Sequence, residues 1–457
     1  MATPQSLKLL EVCRVSPPPG SVPQTFLPLT IYDVYWIAVP PIQRLLFYEL
    51  NTTTAHFIEA LLPQIKYSLA LTLRFFFSLA GNLHLSHSDG NHEIRYVDGD
   101  SVSLTVAESD GVFQRLAKKN DPIGATECRP FLPRLTPPSL FALQFTVFPN
   151  AGIALGISIQ HAVCDGRSLA HFMKSWSSIC RNGNDDTSII QPPFYDRTSL
   201  AEKDSIKRGI LKQMEDAALK HKKAYGSDGL IPNMPIPALR ATFVLSRANI
   251  ESLRRLALDL VEESEKPFHC STFVLTCSYV WICLIKSRGE DAGDRIEHFA
   301  FAADARARLK PPLPAQYFGN CLSGCHAAAK RSDLVSERGM LAATKVIQKS
   351  IKRLEDRDPG KSLENSISGS MELMEQRLVS VAGSPQFRVY DIDFGWGRPK
   401  KTEVASIDIT GAIYVGDSRD EEGGIEVGLS LPELEMHSFA SLFQEGLEKI
   451  SQCDQGL

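Results

Sequence analysis

Residues 141–160 read FALQFTVFPNAGIALGISIQ, and no other stretch limits the possible folds as tightly. Two apolar runs flank Pro149-Asn150, a turn-forming pair, so the segment predicts a β-hairpin. In its second arm Ile153, Leu155, Ile157 and Ile159 alternate with Ala154, Gly156 and Ser158, the period of two expected of a strand. HAVCDG follows at residues 161–166. Beyond it Leu169, Phe172, Met173, Trp176 and Ile179 fall on one face of a helix that starts near Arg167. His161 therefore stands where a buried strand ends and a helix begins, a place where side chains commonly face a cleft.

Strand and helix patterns alternate irregularly along the rest of the chain, which makes the class α/β or α+β. The second half predicts a strand at RATFVLS, helices over 248–260 and 271–286, a strand at EHFAFAAD and a helix near 336–355. Strands at AIYVGDS and GIEVGLSLP and a final amphipathic helix over 432–450 close it. Between Arg181 and Pro237 the composition shifts to turn-rich segments around a mixed-charge stretch, EKDSIKRGILKQMEDAALKHKKAYG, read as a solvated helix inside a long linker. The expected division is an N-terminal domain over 1–190, a crossover over 191–237 and a C-terminal domain over 238–457.

With 457 residues the chain has no need of disulfide or metal staples. Its formal charge of −4 lacks the basic footprint of a nucleic-acid binder. The ten cysteines form no CxxC and no zinc-ligand spacing, so no metal site is expected and a reducing compartment suits them. The N-terminus lacks the apolar run of a signal peptide. The longest apolar run, Phe273 to Ile285, is shorter than the ~20 residues a bilayer span needs. The chain reads as cytoplasmic, with no membrane partner.

Three segments hold residues that can do chemistry. In His161-Ala-Val-Cys-Asp165-Gly166 the imidazole can take and return a proton near neutral pH, as acyl transfer requires; a hydrogen-bonded turn histidine is the plain alternative. Asp393-Phe394-Gly395-Trp396-Gly397 sets a carboxylate beside an aromatic between two glycines, which suits a structural turn. DFG alone suggests a kinase, but no Gly-rich phosphate loop, VAIK-like lysine or HRD loop accompanies it. Ala303-Asp304-Ala-Arg306-Ala-Arg308 could pair a buried carboxylate, meet an anionic ligand or form a surface ion cluster. GxSxG, HExxH and GxxxxGK[ST] are all missing, so direct base catalysis fits better than a covalent enzyme intermediate.

HAVCDG near one third of the chain, with DFGWG near its end, resembles the plant BAHD family of acyl-CoA-dependent acyltransferases. YFGNC at 317–321, with LPLTIYDVYWI and PPIQRLLFYEL near the start, is similar to the branch acting on anthocyanin, flavonoid or phenolic glucosides. IYD at 31–33 departs mildly from that branch's usual FFD. The resemblance implies an α/β fold of two chloramphenicol-acetyltransferase-like domains, each a mixed sheet with helices, joined by a long crossover loop. HAVCDG would belong to the first domain, YFGNC and DFGWG to the second. A tunnel between the domains would let donor and acceptor meet at His161.

By the same resemblance His161 would be the general base, and Asp165 would hold the site's shape by pairing with Arg306. Asp393 is sometimes given a catalytic part; here it is expected to support the turn, together with Gly166, Gly395, Trp396 and Gly397 as structural motif residues. No permanent cofactor is implied, only acyl-CoA as co-substrate. Ser271 and Thr272, at a predicted helix N-terminus, and Ala303 and Asp304, by family position, are candidates to contact it, although Ser271 equally suits an N-cap. Arg44 lies in a segment that borders the pocket in that family. A guanidinium there could bind the free carboxylate of malonyl-CoA, against the alternative of an arginine on a surface strand. The expected enzyme is a monomer that transfers an acyl group, malonyl favoured, to a phenolic, flavonoid or anthocyanin glucoside. Hydroxycinnamoyl transfer, hydrolysis and non-catalytic ligand binding are the competing readings.

Overall fold

The structure is a computed structural model, and it describes residues 7–37, 39–85, 92–119, 121–183, 187–200, 207–212, 238–261, 270–289, 295–355 and 378–455. The charged linker helix expected near 202–226 lies largely outside the described residues. The strands of the first half are β1 (Leu7–Val15), β2 (Thr25–Pro28), β3 (Ile42–Glu49), β4 (Asn82–His84), β5 (Glu93–Tyr96), β6 (Val102–Ser109), β7 (Ile123–Gly124), β8 (Phe141–Phe148) and β9 (Gly152–Ile159). The second half adds β10 (Ala238–Leu245), β11 (Ile296–Asp304), β12 (Leu322–Lys330), β13 (Val379–Ala382), β14 (Lys401–Val404), β15 (Ile413–Asp417) and β16 (Ile425–Pro432). The main helices are α1 (Leu62–Leu73), α2 (Gly166–Asn182), α3 (Arg247–Asp259), α4 (Thr272–Ser287), α5 (Gly339–Glu355) and α6 (Glu433–Gln455).

Two large sheets organise the chain. The first has the order β1-β6-β8-β9-β3-β14 and the second β12-β11-β13-β15-β16-β10-β7; β2, β5 and β4 form a small third sheet. The predicted hairpin is present as β8 and β9, with Asn150 at φ 61° in its turn. Its alternation implies one buried face, yet every residue of both strands is buried. Ile153, Leu155, Ile157 and Ile159 face the main core, which includes α2, while Ala154 faces a second cluster with Leu45, Phe131 and Phe148. Alternation here records large and small partners rather than core and solvent.

The sheets also exchange strands across the boundary expected from the sequence. Lys401–Val404 of the second half pairs with β3 at the edge of the first sheet, and Ile123–Gly124 pairs with β10 at the edge of the second. YFGNC and DFGWG, expected in the second domain, pack against the first core through Tyr317, Phe318, Cys321, Phe394 and Trp396. The cause is apolar area: these side chains find an aromatic bed in Phe76, Tyr48 and Trp176, and burial against it outweighs chain proximity. A second core gathers α3, α4, α5 and α6 against the second sheet. Among the described residues no helix is long and apolar enough to cross a membrane.

Candidate active site

β9 ends at Ile159, and His161 begins a single 3-10 turn that leads into α2. Asp165 caps that helix, accepting from the Ser168 amide at 3.0 Å. Gly166 at its first turn is required by close approach: a Cβ there would come within 2.6 Å of the Phe387 ring. The turn is therefore held by its own cap and by a neighbour that leaves no room for a side chain.

The His161 backbone is tied on both sides. Its amide donates to Gln160 Oε1 at 2.9 Å, and its carbonyl accepts from Asn320 Nδ2 at 2.9 Å. The residue is half-buried, and its Nδ1 is sealed from solvent without a hydrogen-bond partner. Burial is the largest influence on the imidazole and pushes its pKa down to about 4. Its own carbonyl, Asp165, Asn320 and Asp33 oppose the shift without reversing it. The ring is neutral at physiological pH, with a lone pair free to accept a proton.

Asp165 and Arg306 are brought together: Arg306 Nη1 donates to Asp165 Oδ2 at 2.8 Å, with both side chains almost fully buried. The same guanidinium donates to Asp304 Oδ1, Ser168 Oγ, Tyr317 O and Gly319 O at 3.1–3.2 Å. Burial would lower the Arg306 pKa, but Asp165 and Asp304 outweigh it and hold the group firmly cationic. Asp165 also accepts from the Cys321 amide, so its oxygens are committed to architecture and make no hydrogen bond to His161. Asp304 is occupied as well, with Arg167 Nη1 at 2.8 Å besides Arg306. Burial raises its pKa, yet the Arg306 charge and the bonds it accepts leave it below the usual carboxylate range.

Asp393 sits elsewhere. Its Oδ1 accepts from the amides of Gly395 and Gly397 at 2.8 and 2.9 Å, and those glycines take φ of 98° and 86°. The loop lies against Arg181, near the last turn of α2, whereas His161 precedes its first; 17 residues at 1.5 Å each make the helix about 25 Å long. A catalytic part for Asp393 has no geometry behind it. Its role here is to fold a tight loop that delivers Phe394 and Trp396 to Tyr48 and Trp176.

Ser271 is the N-cap of α4, accepting from Val274 N at 3.3 Å; it is exposed and Thr272 is half-buried. Ala303 is half-buried at the end of β11, packed against the second core. Arg44 is not on a surface. It is 7% exposed on β3, opposite Ile157 and Val404, with its guanidinium 6.0 Å from the Tyr414 ring centre. Its Nε is buried without an acceptor, and among the described residues no carboxylate pairs with it. The other arginines buried among the described residues, Arg197, Arg240, Arg306 and Arg331, each have one. No group of three or more His, Cys, Asp or Glu among the described residues is placed to hold a metal ion.

Three site residues were not singled out from the sequence. Asp33 is fully buried and accepts from Asn320 N and Nδ2 at 3.1 Å each and from Arg197 at 3.3 Å. Asn320 links Asp33 to the His161 carbonyl. Trp36 stacks on the His161 ring, with centroids 3.8 Å apart and planes 10° apart. A hint was available for Asp33, since Thr30-x-x-Asp33 is a capping box pattern, present here around a one-turn helix at Ile31–Val34.

The sequence pattern of the transferase family matches residues 14–445. The chain is 36% identical to phenolic glucoside malonyltransferase 1 of Arabidopsis thaliana, over 97% of this chain and 98% of that one. It is 33% identical to coumaroyl-CoA:anthocyanidin 3-O-glucoside-6''-O-coumaroyltransferase 1 of the same plant, over 98% and 99%. Its backbone matches the crystal structure of vinorine synthase with a TM-score of 0.72 at 21% identity, covering 95% of this chain and 96% of that one, a likeness of fold. Family pattern and relatives both run nearly end to end, so the protein belongs to the BAHD transferase family, acyl-CoA-dependent acyltransferases on an α/β fold of the chloramphenicol-acetyltransferase type.

Proposed function

We propose that the protein transfers an acyl group, malonyl in preference to hydroxycinnamoyl, from coenzyme A to a hydroxyl of a phenolic, flavonoid or anthocyanin glucoside. His161 is the general base, and the neutral, half-buried imidazole carries this reading. Nε2 accepts the proton of the acceptor hydroxyl as that oxygen attacks the thioester carbonyl. The tetrahedral oxyanion then collapses, the C–S bond breaks, and the imidazolium gives its proton to the departing thiolate. A thioester is already activated, so positioning supplies much of the rate, and donors at the oxyanion are typically worth ~3 kcal/mol each. A buried imidazolium is disfavoured, which helps the proton leave again in the second half of the reaction.

The relatives divide between malonyl and coumaroyl donors, and Arg44 chooses between them. A desolvated guanidinium without a counter-ion is costly unless an anion joins it. The malonyl carboxylate is such an anion and an aromatic acyl group is not. Arg44 lies opposite Ile157, four residues before His161, or about 13 Å at 3.3 Å per strand residue. Ser271, Thr272, Ala303 and Asp304 are assigned to the coenzyme side, where the Asp304 carboxylate is taken by Arg167 and Arg306 and its carbonyl by Arg308. The setting we assign is a cytoplasmic monomer.

The test is coenzyme A release, followed with a thiol reagent, from malonyl-CoA or p-coumaroyl-CoA against a panel of phenolic glucosides. His161→Ala is expected to lose on the order of 10²–10⁴-fold in kcat. Undiminished turnover in that variant would remove the base. Release without any glucoside would make the protein a hydrolase instead.

A further inference from the structure

A general base works only while its ring stays in one plane, and at the buried edge of His161 the Asn320 side chain acts on the ring without completing a hydrogen bond to Nδ1. Catalytic histidines usually have a carbonyl or carboxylate at the second nitrogen, which sets tautomer and orientation. Here Nδ1 is buried and makes no hydrogen bond. Asp165, the nearest carboxylate in sequence, is committed to Arg306, Ser168 and Cys321. Asn320 donates to the His161 carbonyl, but its own Oδ1 is also left without a partner.

What the ring has is a face. The Trp36 indole lies parallel to it at 3.8 Å, and Tyr35 meets Trp36 edge-on, with centroids 4.9 Å apart and planes at 82°. The segment carrying both aromatics is anchored on two sides. Upstream, Asp33 closes the capping box with Thr30 and is gripped by Asn320 and Arg197. Downstream, Gln160 donates to the Ile37 carbonyl at 3.3 Å while its Oε1 receives the His161 amide. One side chain thus ties the backbone next to Trp36 to the backbone of His161, so the two stacked rings share a frame.

We propose that Trp36 is a positioning residue: its stacked indole, beside the Asn320 side chain, fixes the plane of the His161 imidazole and leaves the ring edge at Nε2 for the acceptor hydroxyl. The proposal rests on the reading of His161 as base. Its consequence is large, because a misplacement of about 1 Å at a reacting group can cost on the order of 10²-fold in rate. The indole also keeps water off one face of the ring, contributing to the burial that holds the pKa near 4.

Trp36→Met keeps apolar bulk without a flat face, and Trp36→Phe keeps a flat face. In the Met variant kcat falls on the order of 10²-fold while KM for acyl-CoA and glucoside is unchanged. The acid limb of its kcat/KM profile rises from about 4 toward the ordinary histidine value of about 6.5, because water now reaches the ring. The Phe variant retains most of kcat. An unaltered kcat and acid limb in Trp36→Met overturns the proposal, and so does an equal loss in both variants. Should the Met variant fail to fold, Trp36→Phe decides alone: near-native kcat with the acid limb raised part of the way supports the stack, and a lost kcat or an unmoved limb refutes it. An active His161→Ala enzyme would instead strike the base assignment itself, so the two failures are distinguishable.

Discussion

Arg306 and Arg44 are both nearly sealed from solvent, at 2% and 7% exposure, and the resemblance to a known family places both near the site. Around Arg306 stand two carboxylates, two backbone carbonyls and the Ser168 hydroxyl. Around Arg44 there is the ring of Tyr414 and no carboxylate among the described residues. Folding recovers the desolvation of the first guanidinium and leaves that of the second largely unrecovered. The Nε of each is buried without an acceptor, but a cation already paired with carboxylates is part of the scaffold. One without a carboxylate is a place where a ligand's charge can be received, and the contrast separates two arginines whose residue type and burial are alike.

The largest effect is expected at the arginine that is paired with carboxylates. Arg306→Ala leaves Asp165 buried without its counter-ion, and removing one partner of a buried pair typically costs ~3–5 kcal/mol. The variant should melt well below the wild type and lose turnover with every acyl donor. A melting point equal to wild type would place Arg306 in the same class as Arg44.

Arg44→Met tests the other side. No native ion pair is broken, so the melting temperature should stay close to wild type. Turnover of malonyl-CoA should fall on the order of 10–100-fold in kcat/KM, matching the ~1.5–3 kcal/mol of hydrogen bonds to a charged group, while p-coumaroyl-CoA is unaffected. An equal loss with both donors, or with neither, would remove the carboxylate from the argument.

The smallest effect is expected where a motif is architectural without carrying a buried ion pair. Asp393→Ala removes the acceptor of two glycine amides and should lower stability by ~1–2 kcal/mol. Its kcat should stay near wild type at a temperature where the variant is folded. A loss of kcat comparable to His161→Ala would return Asp393 to the reaction, despite the length of α2 that lies between them.

Much of the scaffold was legible because it is written in local periodicity. The hairpin at 141–159, α2, α3, α4 and α6 each repeat a pattern within one element, and the structure places them within a few residues of expectation. Strands β7 and β14 were not legible. At two and four residues they are too short to carry a period, and they exist because an edge strand from the other half of the chain pairs with them. The same limit hid Asp33, Trp36 and Asn320. Asn320 lies 287 residues from Asp33 and 159 from His161, and its bonds to them form only when the two halves meet.

By itself, then, the order of residues determined which segments become strands and helices, the turn that presents His161, and the family to which the chain belongs. It also named both arginines as candidates. Only the packed molecule decided that one of them is paired with carboxylates and the other is not, that DFGWG lies at the far end of α2, and that an indole covers the His161 ring. Pattern depends on neighbours along the chain, whereas desolvation and counter-charge depend on neighbours in space, and those are assembled from segments hundreds of residues apart.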